Sequence, residues 1–154
     1  MRTGGRIVAI DKSGRWWLGD SVDDLKEYLI AYTEDGYPAT EFRISECSCG
    51  SIEFFVAHDG EEGVARRTCV KCSAEHFLCD SGEFWDDASP RRYRCVGKCR
   101  SRVANVCVGF ALAESRDGIR WINVGVRCTA CGVLGCVADW KVDFSPSLHL
   151  LDLA

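Results

Sequence analysis

Short runs in which apolar and polar residues alternate, and others that are apolar throughout, recur along the chain and are typical of β-strands with one or both faces buried. These runs predict strands over residues 6–10, 15–18, 41–46, 51–58, 64–68, 75–79, 104–113, 119–127 and 133–142, of which 104–113 is apolar. Turn-forming residues at 11–14, 59–63 and 116–118 separate successive strands and predict hairpins. The sequence therefore predicts an α+β protein that is mostly β.

One segment instead has a helical period. Val22, Leu25, Leu29 and Tyr32 recur at spacings of three or four residues, so we expect a helix over 22–34 that buries this face. A serine at 21, followed by an aspartate three residues later, predicts the helix start, and a glycine at 36 predicts its end. The first hairpin and this helix form a predicted N-terminal segment, residues 1–40, that packs on the rest of the chain.

Short cysteine pairs lie between the later strands. Each half of the chain has two pairs separated by a stretch long enough for a hairpin: Cys47 with Cys49 and Cys69 with Cys72, then Cys95 with Cys99 and Cys128 with Cys131. Four thiolates satisfy the tetrahedral preference of zinc. Gly50 and Gly132 directly follow a pair, where a tight turn often needs a positive φ. The sequence therefore predicts two Zn²⁺ ions per chain with these eight cysteines as ligands.

With their flanking strands, the segments Arg67-Thr-Cys-Val-Lys-Cys72 and Arg127-Cys-Thr-Ala-Cys-Gly132 resemble the zinc ribbon, a three-stranded antiparallel sheet with two zinc knuckles at one end. The resemblance covers residues 44–81 and 93–142. It implies two tandem ribbons, at 41–81 and at 93–154 with a C-terminal tail, joined by a linker at 82–92. It implies no particular function, because zinc ribbons serve many.

The pair spacing departs from Cys-x-x-Cys in two places. Cys47 and Cys49 are one residue closer, and Cys95 and Cys99 are one residue further apart. Cys107 or Cys136 is therefore an alternative to Cys95 or Cys99 as a ligand, and His76 is an alternative in the first site. Otherwise we expect the three cysteines outside the pairs, Cys79, Cys107 and Cys136, to be buried as small apolar residues.

The two halves match after a shift of 59 residues, which superposes Cys69 on Cys128 and Asp80 on Asp139. This match predicts an internal duplication. We interpret the two aspartates as residues that cap turns at strand ends, in preference to a catalytic pair.

Features of an enzyme are missing from the sequence. The three histidines, His58, His76 and His149, do not cluster with carboxylates, and there is no phosphate-binding glycine motif or nucleophile elbow. Four thiolates also leave no open position on a metal for water. We therefore expect a protein without catalytic activity.

The cysteine count bears on location. Eleven is an odd number, the N-terminus lacks the long apolar core of a signal peptide, and no apolar run is long enough to span a membrane. These features favour metal binding over disulfides and predict a cytoplasmic protein with no membrane partner.

Charge gives two alternatives for the partner. The net charge of −4 and the five tryptophans, a residue enriched in interface hot spots, favour a module that binds another protein as an adaptor, regulatory or neutralising partner. The alternative is nucleic-acid binding through the basic run, Arg91, Arg92, Arg94, Lys98, Arg100 and Arg102, with Tyr93 stacking on an unpaired base. The basic run can instead pair with Asp86, Asp87 and the acidic residues between 19 and 46.

Overall fold

The N-terminal hairpin closes against the second half of the chain. The structure, a computed structural model, describes residues 10–154, so most of the strand predicted over 6–10 lies outside the described residues. β1 (Ile10–Asp11) pairs antiparallel with β2 (Leu18–Gly19). The guanidinium of Arg127 donates to the carbonyls of Gly19 and Asp20 at 2.7 and 2.9 Å, and this fixes the hairpin beside the last cysteine pair.

The predicted helix is α1 (Asp24–Thr33). Leu25 and Leu29 are fully buried, but Tyr32 is 51% exposed, so the prediction of its burial was wrong. Half of the predicted capping box forms, because the Asp24 carboxylate accepts the backbone N–H of Ser21 at 3.2 Å. It also accepts the N–H of Asp20 at 2.7 Å, so one carboxylate satisfies two amides ahead of the helix.

Residues 10–154 form ten strands in two sheets and one α-helix, which confirms a mostly β protein of the α+β class. The larger sheet contains two antiparallel meanders. The first consists of β4 (Phe54–Asp59), β5 (Val64–Cys69) and β6 (Glu75–Phe77); the second consists of β8 (Ala104–Leu112), β9 (Ile119–Cys128) and β10 (Leu134–Lys141).

One pairing joins the two meanders into one sheet, and two short strands add to the two strands that it connects, β4 and β8. β4 pairs with β8 at Phe54 and Ala104, and β7 (Arg91–Arg92) pairs with β4. β3 (Glu41–Ile44), which lies in the range predicted for the first ribbon, pairs with β8 of the second. β8 therefore pairs with strands from both halves of the chain.

The main hydrophobic core also spans both halves. Phe54 and Leu78 from the first half pack in the same cluster as Phe110 and Ile122 from the second, and all four are fully buried. A smaller cluster lies under α1, where Leu25 and Leu29 pack with Cys107 and Leu134.

The linker and tail are short 3-10 helices. Residues 81–83 and 85–87 form two 3-10 turns. Trp85 docks on Phe77 with ring centroids 5.2 Å apart, whereas Phe84 stays 43% exposed. The tail, Leu148–Leu153, lies against the first meander, where the Cys79 N–H donates to the Leu153 carbonyl.

The helices of the described residues were compared with the length and hydropathy of membrane-spanning helices. None of the helices within residues 10–154 has the length and apolar character that a membrane crossing needs.

Candidate metal centres

The structure gathers the eight predicted ligands into two groups of four thiols. Cys47, Cys49, Cys69 and Cys72 form the first group, and Cys95, Cys99, Cys128 and Cys131 form the second. Within each group, all four sulfur atoms lie within 4.8 Å of one another.

Distances between sulfur atoms match neither disulfides nor isolated thiols. In the first group, the Sγ atoms of Cys47 and Cys72 are 3.4 Å apart, and those of Cys49 and Cys69 are 3.6 Å apart. A disulfide would bring two sulfurs to about 2.05 Å. Four sulfurs around zinc at about 2.3 Å would lie about 3.8 Å from one another, so this group has close to the required size.

The second group has the same dimensions. The Sγ atom of Cys99 lies 3.4 Å from those of both Cys128 and Cys131, and the Sγ atoms of Cys95 and Cys131 are 3.5 Å apart. The longer spacing between Cys95 and Cys99 is thus accommodated without either of the two alternative cysteines. Both groups can hold a metal ion.

Each of the four cysteine pairs lies in a turn that is closed by an equivalent backbone hydrogen bond. In each, the N–H of the first cysteine donates to the carbonyl two residues after the second cysteine. The donor–acceptor pairs are Cys47 to Ser51, Cys69 to Ala74, Cys95 to Ser101 and Cys128 to Val133, at 2.7–2.9 Å. The equivalent closing hydrogen bond therefore forms whether one, two or three residues separate the cysteines.

Each turn closes through a residue with positive φ directly after the second cysteine. Gly50 and Gly132 have φ of +93° and +84°, as their position predicted. Ser73 and Arg100 occupy the equivalent positions with φ of 67° and 56°. Non-glycine residues adopt this region at some energetic cost, so the turns are held by the surrounding structure.

Backbone amides favour the thiolate of the first cysteine in three turns. The amide of Cys49 lowers the pKa of the Cys47 thiol, whereas burial raises the pKa of Cys95 in the remaining turn. The amide of Cys72 lowers the pKa of the Cys69 thiol to about 6. Burial raises the pKa of Cys128, but the amides of Cys131 and Ala130 outweigh it and bring the value to about 7. Thiolate is the form that ligates a metal, so these turns prepare the donors for binding.

The remaining candidates lie away from both groups. Cys107 is fully buried under α1, and Cys136 lies on β10 with its thiol donating to the carbonyl of Ala138 at 3.5 Å. Cys79 is buried, as expected. The Nε2 atom of His76 lies 3.0 Å from the carbonyl of Leu153, so this side chain contacts the tail.

The two aspartates related by the 59-residue shift each accept an indole N–H. Trp140 donates to the Oδ1 atom of Asp80 and Trp121 donates to the Oδ1 atom of Asp139, both at 3.0 Å. Burial raises the pKa of Asp80. The interpretation as turn caps was therefore wrong. Asp139 lies inside β10 and not at its end, the Asp80 side chain makes no capping hydrogen bond to the 3-10 turn that follows it, and both side chains anchor tryptophans of the second meander.

The basic run lies on the surface. All six of its arginine and lysine side chains are exposed, but Tyr93 is only 6% exposed, so the predicted stacking of Tyr93 on a base was wrong. Ion pairs between residues 10 and 154 involve Lys26, Arg43, Arg66 and Lys141, and none involves the basic run. Within these residues, the predicted neutralisation by acidic residues is not observed.

Sequence reasoning missed a cleft between the basic run and the N-terminal segment. We call it the arginine–aromatic cleft; its volume is about 530 Å³. Its lining includes Trp16, Tyr28, Tyr32, Arg91, Arg92, Arg94, Val96, Val133, Leu134 and Val137. These residues come from four separate stretches of chain, so no local pattern could have revealed it.

Comparisons of the chain with protein-family models, with curated proteins and with solved structures find no match.

Proposed function

We propose that this protein is a non-catalytic interaction module in which each four-cysteine group binds one structural Zn²⁺, and that it binds another protein. The two closed groups of four thiols carry the proposal. Their donor set is soft, their size fits a tetrahedron, and all the donors come from backbone turns that are already formed.

The donor count supports a structural rather than a catalytic metal. A catalytic zinc keeps three protein ligands and one open position, whereas each group here supplies four sulfurs. The turns also lie at the ends of the two meanders, where a bound ion ties neighbouring strands together. In that position the metal contributes to folding free energy.

A protein partner is supported by the overall charge and by exposed apolar side chains. The chain carries a net charge of −4, and Trp16, Phe55 and Phe84 are each about two-fifths exposed. Aromatic side chains at the surface are enriched where proteins bind one another.

The nucleic-acid alternative is favoured by one observation, the exposed basic run without ion pairs to residues 10–154. Binding of a mixed DNA and RNA pool at low and physiological salt decides between the two. Salt-sensitive binding that is lost in an Arg92→Glu, Arg94→Glu, Arg100→Glu variant would replace the protein-partner proposal.

The metal proposal is tested by elemental analysis of the purified protein together with cysteine variants. We expect two zinc ions per chain, and one in Cys69→Ser, with a large loss of stability because metal binding supplies folding free energy. Cys107→Ser is the matched control, since this thiol lies outside both groups and the variant should keep both ions. Full zinc content in Cys69→Ser would contradict the assignment.

The partner is tested by affinity capture with the zinc-loaded protein from a nuclease-treated lysate. A protein captured stoichiometrically, and retained when no nucleic acid is present, supports the proposal. Capture that depends on nucleic acid contradicts it.

A further inference from the structure

The arginine–aromatic cleft combines two recognition chemistries in its lining. Trp16, Tyr28 and Tyr32 form what we call its aromatic wall, and Arg91, Arg92 and Arg94 form what we call its basic wall. Its volume of about 530 Å³ lies within the roughly 300–1,000 Å³ range of sites that bury a compact ligand.

No carboxylate within residues 10–154 forms an ion pair with the basic wall, although Asp59 lies near enough to interact electrostatically with Arg91. The three arginines of this wall are exposed, and the lining contains no aspartate or glutamate. A guanidinium is a planar donor fork that matches a carboxylate in a bidentate geometry. The wall is thus complementary to a segment that carries several carboxylates.

The aromatic wall and three further lining residues are apolar. Trp16 is 39% exposed and Tyr32 is 51% exposed, and the apolar residues Val133, Leu134 and Val137, near the start of β10, add lining that we call the floor. Covering such a surface with a large apolar side chain is favourable at roughly 25 cal/mol per Å². A purely charged ligand would leave this surface exposed to water.

Resting on the proposed function, we propose that this cleft is the partner-binding site and that it recognises an acidic peptide segment with a large apolar anchor side chain. The anchor packs between the aromatic wall and the floor. The flanking carboxylates pair with Arg91 and Arg94, and Arg92 lies between the two.

Charge around the cleft favours a peptide over a nucleic acid. Arg15 and Glu34 line a second depression that shares Trp16, Tyr28 and Tyr32 with the cleft, so this neighbouring surface has no net positive charge. A long polyanion that continued across those rings would gain no further attraction there, and the chain as a whole has a net charge of −4. A short peptide needs complementarity only inside the cleft.

The test uses the zinc-loaded full chain and three fluorescein-labelled nine-residue peptides, measured by fluorescence anisotropy. The first has aspartates and glutamates around a central Trp-Leu pair, the second replaces that pair with alanines, and the third replaces the acids with lysines. We expect the first peptide to bind with an affinity that falls as salt is added. The second peptide should bind about tenfold or more weakly than the first, and the third should not bind.

Two double variants with equal changes in charge locate the site. Arg91→Gln with Arg94→Gln should weaken binding of the first peptide by about tenfold or more, because both partners of the carboxylates are lost. Lys98 and Arg100 lie in the same basic run but outside the cleft lining. The double variant Lys98→Gln with Arg100→Gln should therefore change the affinity for the first peptide by less than about twofold. Zinc content is measured for both, since Arg94 adjoins Cys95.

Three results of the peptide measurements overturn the inference. They are no binding of the acidic Trp-Leu peptide, equal binding of the alanine peptide, and equal effects of the two double variants. A single-stranded oligothymidine that binds more tightly and displaces the peptide overturns it in favour of a nucleic acid, and overturns the protein-partner proposal as well. If a captured protein still binds the Arg91→Gln, Arg94→Gln variant, only the cleft assignment fails.

Discussion

At the residue scale, Gly50 and Gly132 hold the same place in two cysteine turns but have different surroundings. Both have a positive φ. A Cβ atom at Gly132 would lie 2.6 Å from the carbonyl oxygen of Gly19, whereas at Gly50 it would meet nothing within 4 Å. The close approach exists because the N–H of Gly19 donates to the Gly132 carbonyl at 2.9 Å.

Gly132→Ala should therefore destabilise the protein more than Gly50→Ala. Both lose about 1–2 kcal/mol to the left-handed backbone, and Gly132→Ala should lose a further amount of about 1–3 kcal/mol because a backbone contact must move. Urea unfolding of the zinc-loaded variants measures the difference. Equal losses would mean that the N-terminal hairpin does not lie against this turn.

The buried contact between Asp80 and Trp140 gives a second test. Asp80→Ala leaves the indole N–H without its acceptor and should cost about 1–3 kcal/mol. Asp80→Asn keeps an acceptor oxygen and should be close to neutral at pH 7 or stabilising, because the buried carboxylate is removed.

The pH dependence of the same contact follows from the direction of the pKa shift. Burial raises the pKa of Asp80 in the folded state, so the folded protein binds the proton more tightly than the unfolded chain. Stability is then lost as pH rises from about 4 through the raised pKa. The stability difference between Asp80→Asn and the wild type should therefore grow in favour of Asn over that interval, as measured by urea unfolding at each pH. A constant difference would contradict it.

At the element scale, α1 is held to the sheet by one leucine that lies over two glycines. Cβ atoms at Gly109 and Gly125, on neighbouring strands, would lie 3.2 and 3.1 Å from the Cδ1 atom of Leu29. The missing side chains on β8 and β9 create the hollow that the leucine fills. The helix can therefore pack close to the sheet at this point.

Leu29→Ala should empty that hollow and destabilise the protein by about 2–5 kcal/mol. Ile30→Ala is the control on the same helix, since Ile30 is 52% exposed and should change stability by less than about 0.5 kcal/mol. Thermal unfolding of both variants gives the comparison. Similar small losses would show that the helix is not anchored here.

Local pattern was enough to predict most of the elements. The predicted runs became β4, β5, β8, β9 and β10, and the helix begins and ends within two residues of the predicted bounds. The pairing of β3 with β8 and of β7 with β4 was not predictable, because strands of two to four residues carry little pattern and their partners lie far along the chain. Tyr32 was misplaced because helical spacing does not reveal how wide the buried stripe is.

At the scale of the whole molecule, the two meanders share a sheet and a core. The division into ribbons at 41–81 and 93–154 stays a prediction. The strand that bears on this division is β8, because β8 pairs with β3 and β4 from the first range as well as with β9 from the second. The candidate ligands were predictable from cysteine spacing alone. The arginine–aromatic cleft was not, because it depends on how the N-terminal segment folds over β10.

We expect the shared sheet to open as one unit. Amide hydrogen exchange of the zinc-loaded protein should give central residues of β5 and β9 the same free energy of opening, because β8 and the common core couple them. Exchange of β5 at a clearly lower free energy would show that the first meander opens independently and would support two separate ribbons.

The position of β8 also has a consequence for the order in which the chain is made. All four thiols of the first group have been synthesised once the ribosome reaches Cys72, but the strand that completes the sheet beside β3 and β4 ends at Leu112. At roughly 5–20 residues per second, the intervening 40 residues take about 2–8 s. During that interval all four thiols of the first group are available to a metal ion, while β3 and β4 still lack the strand that pairs with both of them.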